Sequence, residues 1–232
     1  MGLRSGWGIK SFFLFCRHMR THLHNEHKKE FQLERLILFS DAVFAIAITL
    51  LAIEIKVPEL KEGKITDDLL LEGLGKEIPK LIGFLISFFI IGLYWTVHHR
   101  MFGFVVNYTP RLLWLNLIFL LSVVLMPFST AFYSEYIYLL LKTPAILYTT
   151  NICFLGLMNY VLWRYISKPR LGLVDGIDKS MMRYFSLRAL LVPIVFIVTL
   201  GVYLVAPMVA LYMPMLIPVI MYLVKKTFRK AV

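Results

Sequence analysis

Six apolar stretches set the terms for anything this chain can fold into: residues 36–53, 78–97, 112–132, 144–166, 185–206 and 208–224. At 1.5 Å per residue even the shortest extends about 25 Å as a helix, close to the thickness of a bilayer core. Backbone polar groups cannot be left unpaired in lipid, so helices are the natural solution, and no alternating strands suggest a β-barrel. Composition agrees. Of 232 residues 59% are hydrophobic and 17% charged, with a mean hydropathy of +0.74, whereas a soluble domain would carry roughly a quarter charged residues. Cys16 and Cys153 stand far apart without metal-type spacing, so neither a disulfide framework nor a zinc site is expected.

Basic residues set the expected orientation, because Lys and Arg are retained on the cytoplasmic side. They gather in the first 35 residues, in the second connection (Arg100, Arg111), in the fourth (Arg164 to Arg188) and in the tail after Val224. The opposite side holds Lys56, Lys61, Lys64, Lys76, Lys80 and Lys142 among eight acids, from Glu54 to Glu135. Both termini are therefore expected in the cytoplasm, with the chain multi-pass in the plasma membrane. The net charge of +11 is accounted for by these flanks and by anionic lipid, and calls for no nucleic acid. Three segments follow: 1–35, cytoplasmic or interfacial; 36–224, a six-helix membrane domain; and 225–232, a basic tail.

The first 35 residues lack processing signals. Gly6 stands where the myristoylation pattern needs Ser or Thr, the apolar run 11–16 is too short for a signal peptide, and Phe15 argues against a lipoprotein site at Cys16. An interfacial or cytoplasmic helix is expected. His18, His22, His24 and His27 include an i, i+4 pair, but without a Cys or carboxylate set they read as a solvated basic face, and no metal is assigned.

Polar groups within spans carry more information. Asp41 lies about 9 Å of helix beyond Arg35, and an ionisable side chain at that depth is a functional candidate by default. Trp95 and His98 shortly precede Arg100, and Asn116 shortly follows Arg111. All lie in the cytoplasmic third. Ser40, Asp41, Trp95, His98 or His99, and Asn116 could form one interhelical hydrogen-bonded cluster, acting either as packing glue or as a proton relay. At 100° per residue, Arg35, Phe39, Ala42, Thr49, Leu50, Ile53 and Val57 fall within about 60° of Ile46, and Asp41 about 140° away. Periodicity alone leaves that stripe open between a lipid or helix-packing face and a pore lining.

The segment from Arg35 through Phe39-Ser40-Asp41 to Leu51 resembles the R-x-x-x-F-S-D signature that opens the first helix of the transmembrane protein 175 family of potassium channels. The likeness extends to Glu54-Ile-Lys-Val-Pro58, to Tyr94-Trp95-Thr-Val-His98-His99, and to Leu115-Asn116-Leu with Met126-Pro127-Phe128. It covers about the first 135 residues by motif and the rest by hydropathy. Its implication is an all-α subunit of six transmembrane helices in which first helices line a central pore. With one F-S-D and no second copy near the fourth helix, the chain resembles the bacterial single-repeat form, which assembles as a homotetramer.

By the same resemblance the pore narrows at apolar residues just past F-S-D: Ile46, then Leu50 and Ile53, with Thr49 the hydroxyl associated with selectivity. Arg35, Phe39, Ser40, Asp41, Trp95, His98, His99 and Asn116 would be the signature and its interhelical network. No Thr-Val-Gly-Tyr-Gly filter occurs, so a carbonyl cage is not expected. A bare K⁺ gains nothing from Ile side chains, and passage through an apolar ring needs partial hydration. Weak selectivity among K⁺ and other monovalent cations follows. Glu54 could concentrate cations at the outer mouth or pair with Lys56 or Lys61. The alternative class is a cation- or proton-coupled secondary transporter, which would need broken helices and midplane polar ligands; Pro193, Pro207, Pro214 and Pro218 could supply the breaks. No catalytic motif is present and no cofactor is expected, so the chain is not read as an enzyme.

Overall fold

The computed structural model describes residues 6–58 and 66–228, with side chains from residue 28 onward. Helix α1 (Gly6–Ile53) is 48 residues long. No Gly or Pro interrupts it after Gly8, so nothing breaks the i to i−4 ladder between the basic N-terminal stretch and the apolar run. The segment boundary expected at residue 35 is thus a change of composition within one rod. The histidines at 18 to 27 lie outside the described side chains.

The later helices begin where the sequence supplies caps. Helix α2 (Asp67–Phe102) follows Thr66, whose hydroxyl accepts from Leu69 N, with Asp67 and Asp68 in the first turn and His99 and Arg100 in the last. These charges complement the helix dipole at both ends. Helix α3 (Pro110–Val124) starts on Thr109, whose Oγ1 accepts from Leu112 N at 3.2 Å, with Pro110 pre-set for the first turn. Helices α4 (Met126–Glu135), α5 (Lys142–Ile166) and α6 (Lys179–Tyr203) follow. Asp178 caps α6 by accepting from Met181 N at 2.6 Å. A short α7 (Pro207–Ala210), a 3₁₀ turn (Met213–Leu216) and α8 (Ile217–Thr227) complete the chain. Among the described residues six helical stretches are long and apolar enough to cross a membrane: Lys28–Ile53, Asp67–Phe102, Pro110–Glu135, Lys142–Ile166, Lys179–Tyr203 and Pro207–Thr227.

Two of the six are not single helices. The third opens between Ser122 and Met126, just before Pro127, which has no N–H and crowds the preceding turn. Asn151 from α5 fills the gap. Its amide is oriented with Nδ2 3.3 Å from Ser122 O and Oδ1 3.2 Å from Met126 N and 3.0 Å from Ser129 Oγ. The sixth span is segmented at Pro207, Pro214 and Pro218. Pro193, by contrast, stays inside α6. It leaves the Ala189 carbonyl without its helical donor, and Tyr94 Oη from α2 donates there instead, at 3.2 Å. Gly156 of α5 makes the approach possible, since a Cβ there would overlap the Pro193 ring and lie 2.7 Å from the Tyr94 hydroxyl.

The core runs along α5, which packs against α6 on one side and α3 on the other, with Leu112, Phe119, Ile152, Leu155, Trp163 and Val192 fully enclosed. Towards the acidic end, Ser87 Oγ lies 2.7 Å from Thr130 Oγ1 and 2.9 Å from Tyr148 Oη, tying α2, α4 and α5. Beyond it, Lys80 bridges Glu135 at 3.0 Å and Glu77 at 3.3 Å. At the basic end the connections on either side of the fold clip together, Val106 N donating to Leu173 O at 2.9 Å and Asp175 N to Phe104 O at 3.2 Å. Ile217 is the only buried residue of α8.

Candidate functional site

Helix α1 has two faces of opposite character. Leu33, Leu36, Ser40, Phe44, Ala47 and Leu51 recur at three- and four-residue steps and are buried against α2, α3 and α4. On the other face Phe39 is 50% exposed, Ile46 58%, Leu50 40% and Ile53 68%, and Arg35, Ala42, Thr49 and Val57 are exposed too. The subunit therefore leaves the whole predicted stripe uncovered. Thr49 Oγ1 donates back to its own helix, 2.9 Å from Ile46 O and 3.1 Å from Ala45 O. That fixes its proton and leaves its lone pairs facing outwards. Glu54 follows the last turn and is exposed. It makes no ion pair with Lys56 among the described residues, and Lys61 lies outside them.

The expected single polar cluster is two separate contacts. Ser40, Asn116 and His98 form one, almost wholly enclosed. Ser40 Oγ donates to Leu36 O at 2.8 Å and accepts from Asn116 Nδ2 at 2.8 Å, and Asn116 Oδ1 lies 2.8 Å from His98 Nε2. Since that oxygen can only accept, His98 carries a proton on Nε2. Its ring stacks on Phe102 and Phe119, with centroids 4.3 and 5.5 Å away. These bonds clamp α1 between α2 and α3 and end on a backbone carbonyl.

Asp41 belongs to the other contact. Its Oδ1 accepts from Trp95 Nε1 at 2.9 Å, and Trp95 in turn packs against His99 with ring centroids 5.7 Å apart. Trp95 and His99 are exposed and Asp41 half-buried, so this pair sits at the subunit surface rather than in the core. Arg35 joins neither contact; its guanidinium lies 5.7 Å from the Phe31 ring. Among the described residues no three His, Cys, Asp or Glu side chains converge as metal ligands.

Several polar groups that matter to the bundle were not singled out from sequence: Ser87, Thr130 and Tyr148, Asn151 at the broken span, and Arg188. The available signal was simply that each is a polar residue within an apolar run, which names the residue but not its partner.

Comparison with known proteins places this arrangement. A family described as the endosomal/lysosomal potassium channel TMEM175 matches residues 35–127, the stretch that contains both polar contacts and the whole stripe. A potassium channel of Streptomyces collinus is 41% identical over 103 residues, 44% of this chain and 48% of the relative. The matched part thus spans about half the length of that relative. A potassium channel of Chamaesiphon minutus is 34% identical over 146 residues, 62% of this chain and 71% of the relative. The fold agrees with the crystal structure of a lysosomal potassium-selective channel TMEM175 homolog from Chamaesiphon minutus, at a TM-score of 0.69 and 26% identity, covering 83% of this chain and 97% of that one. With sequence, fold and the R-x-x-x-F-S-D helix in agreement, this chain belongs to the TMEM175 family.

Proposed function

We propose that four copies of this chain assemble around an axis lined by their α1 stripes and conduct potassium ions through the bilayer. One observation carries the reading: Phe39, Ile46, Leu50 and Ile53 are exposed on one side of a helix whose opposite side is packed into its own subunit. Lipid could cover such a face without cost, but the face also bears the Thr49 hydroxyl. Potassium permeation by the two bacterial relatives, as their names describe, supports the same assignment.

In this assembly Ile46, Leu50 and Ile53 form successive apolar rings over about 10 Å of helix. An apolar constriction of that length excludes a fully bare cation and passes partly hydrated ones, favouring K⁺ over the more strongly hydrated Na⁺ to a modest degree. Thr49 lone pairs are the nearest ligands within it. The Ser40–Asn116–His98 and Asp41–Trp95 contacts hold the rotation of α1, Glu54 draws cations to the outer mouth, and both termini lie in the cytoplasm. The membrane is the plasma membrane.

Proteoliposomes loaded with KCl test this. On addition of a protonophore, K⁺ efflux through the protein should drive proton uptake, and NaCl-loaded vesicles should show the same behaviour more weakly. Strict coupling of K⁺ movement to a second solute, with no uncoupled leak, would instead make the protein a secondary transporter.

A further inference from the structure

Pro207 and Pro214 lack an N–H, and the first half of the sixth span is a short α7 and a 3₁₀ turn rather than one regular helix. This broken segment forms one wall of a cavity of about 320 Å³, to which it contributes Met208, Leu211, Pro214 and Met215. The other walls come from the first half of α2, the end of α4, the start of α5 and the end of α6, all at the acidic end of the bundle. Ile82, Met208 and Met215 border the cavity and are exposed, so its opening is flanked by apolar side chains from two stretches able to cross a membrane.

The lining decides what can enter. Among the described residues no charged side chain lines the cavity, so an ion or an ionised headgroup would be buried there without a counter-charge. Three hydroxyls of the lining are spent within the protein: Tyr148 Oη lies 2.9 Å from Ser87 Oγ, Thr199 Oγ1 donates to Val195 O at 2.8 Å, and Tyr203 Oη donates to Leu141 O at 3.3 Å. Ser134 Oγ has no partner but is enclosed, packed where a Cβ on Gly83 would overlap it, and is out of an occupant's reach. Thr149 and Tyr133 differ. Neither hydroxyl makes a hydrogen bond among the described residues, and neither is shut in as Ser134 Oγ is. Thr149 is only 6% exposed and lines the cavity, so the cavity is where its hydroxyl can be reached. Tyr133 stacks flat on Tyr148, the chain neighbour of Thr149, with ring centroids 5.2 Å apart, which keeps the two unspent hydroxyls on adjoining walls.

We infer that this cavity binds a small, neutral, membrane-soluble alcohol, its hydrocarbon part against the broken sixth span and its hydroxyl bonded to Thr149 and Tyr133. A mainly apolar pocket with a few unspent polar groups is the common form of a small-molecule site, and its volume falls at the low end of the roughly 300–1,000 Å³ that such sites enclose. That suits one short chain or ring and excludes a two-chain phospholipid. A plain hydrocarbon would fill the space but leave both hydroxyls unpaired, whereas an alcohol, donor and acceptor at once, answers both.

Photolabelling of the full-length protein in phosphatidylcholine nanodiscs with a diazirine-bearing octanol, read by peptide mass spectrometry, tests this. Labelling should saturate, with adducts on cavity residues such as Ile137, Met208 and Met215. Excess 1-octanol should reduce it at least about fivefold, and octane or octanoate at the same membrane content by less than about twofold. Thr149→Val combined with Tyr133→Phe should lower labelling at least about threefold. Tyr222→Phe, exposed on α8 and outside the cavity, should leave it within about twofold. Labelling that does not saturate, adducts away from the cavity, equal competition by octane or octanoate, or undiminished labelling of the double variant overturns the inference. If the double variant does not yield folded protein, Thr149→Val alone and the contrast between octanol and octane decide the matter. Binding is read here without ion flux, so the outcome is separate from that of the proposed conduction.

Discussion

Ile46 and Ile48 are two residues apart on α1 and face different worlds, the first 58% exposed, the second partly buried against the core. Replacing Ile46 by Asn would put four amides on the proposed axis, where they can hold water and lower the dehydration cost for any cation. Flux measured in vesicles should rise and Na⁺ approach K⁺, whereas Ile48→Asn should mainly lower thermal stability. The same angular logic separates the polar contacts. Depth along the helix was legible in the sequence, because hydropathy and the flanking arginines fix it. The partner of each side chain was not, although Ser40 and Asp41, neighbours in the chain, stand about 100° apart around the helix and so reach different residues. Asn116→Ala strands the His98 Nε2–H in the core and should cost about 1–3 kcal/mol. Asp41→Ala strands only a partly exposed Trp95 N–H and should cost less. In a thermal-unfolding double-mutant cycle Asn116 and His98 should couple, while Asp41 and Asn116 should be additive.

Among the elements, helix positions follow from apolar run length, but their continuity depends on what surrounds each proline. Pro127 and Pro193 look alike in sequence. At Pro127 the ladder opens and Asn151 from another helix bridges Ser122 O and Met126 N; at Pro193 the helix continues because Tyr94 supplies a donor to Ala189 O. No property of the local sequence distinguishes the two, as the deciding residues lie on α5 and α2. Tyr94→Phe should therefore destabilise the protein by about 1–3 kcal/mol through the orphaned carbonyl. Adding Pro193→Ala, which returns an N–H to that carbonyl, should recover part of the loss in melting temperature. Gly156→Ala should also be destabilising, by about 1–3 kcal/mol, because its methyl would meet the Pro193 ring.

For the molecule as a whole, the proposed assembly covers the stripe on α1 that the subunit leaves exposed. Light scattering corrected for detergent should give four subunits per particle, and Ile53→Cys, in a background without Cys16 and Cys153, should form disulfide-linked dimers under mild oxidation while Ile48→Cys should not. Among the described elements α1 is also the longest by far, running from Gly6 to Ile53 without a residue that favours a hinge. At 1.5 Å per residue it measures about 72 Å, more than twice the thickness of a bilayer core. A helix of that kind behaves as a drive shaft: twist or tilt imposed at the N-terminal end is delivered to Ile46 with little lost along the way. In the proposed tetramer, whatever grips the basic, histidine-bearing end would thus turn the proposed constriction directly, and four such shafts would turn together.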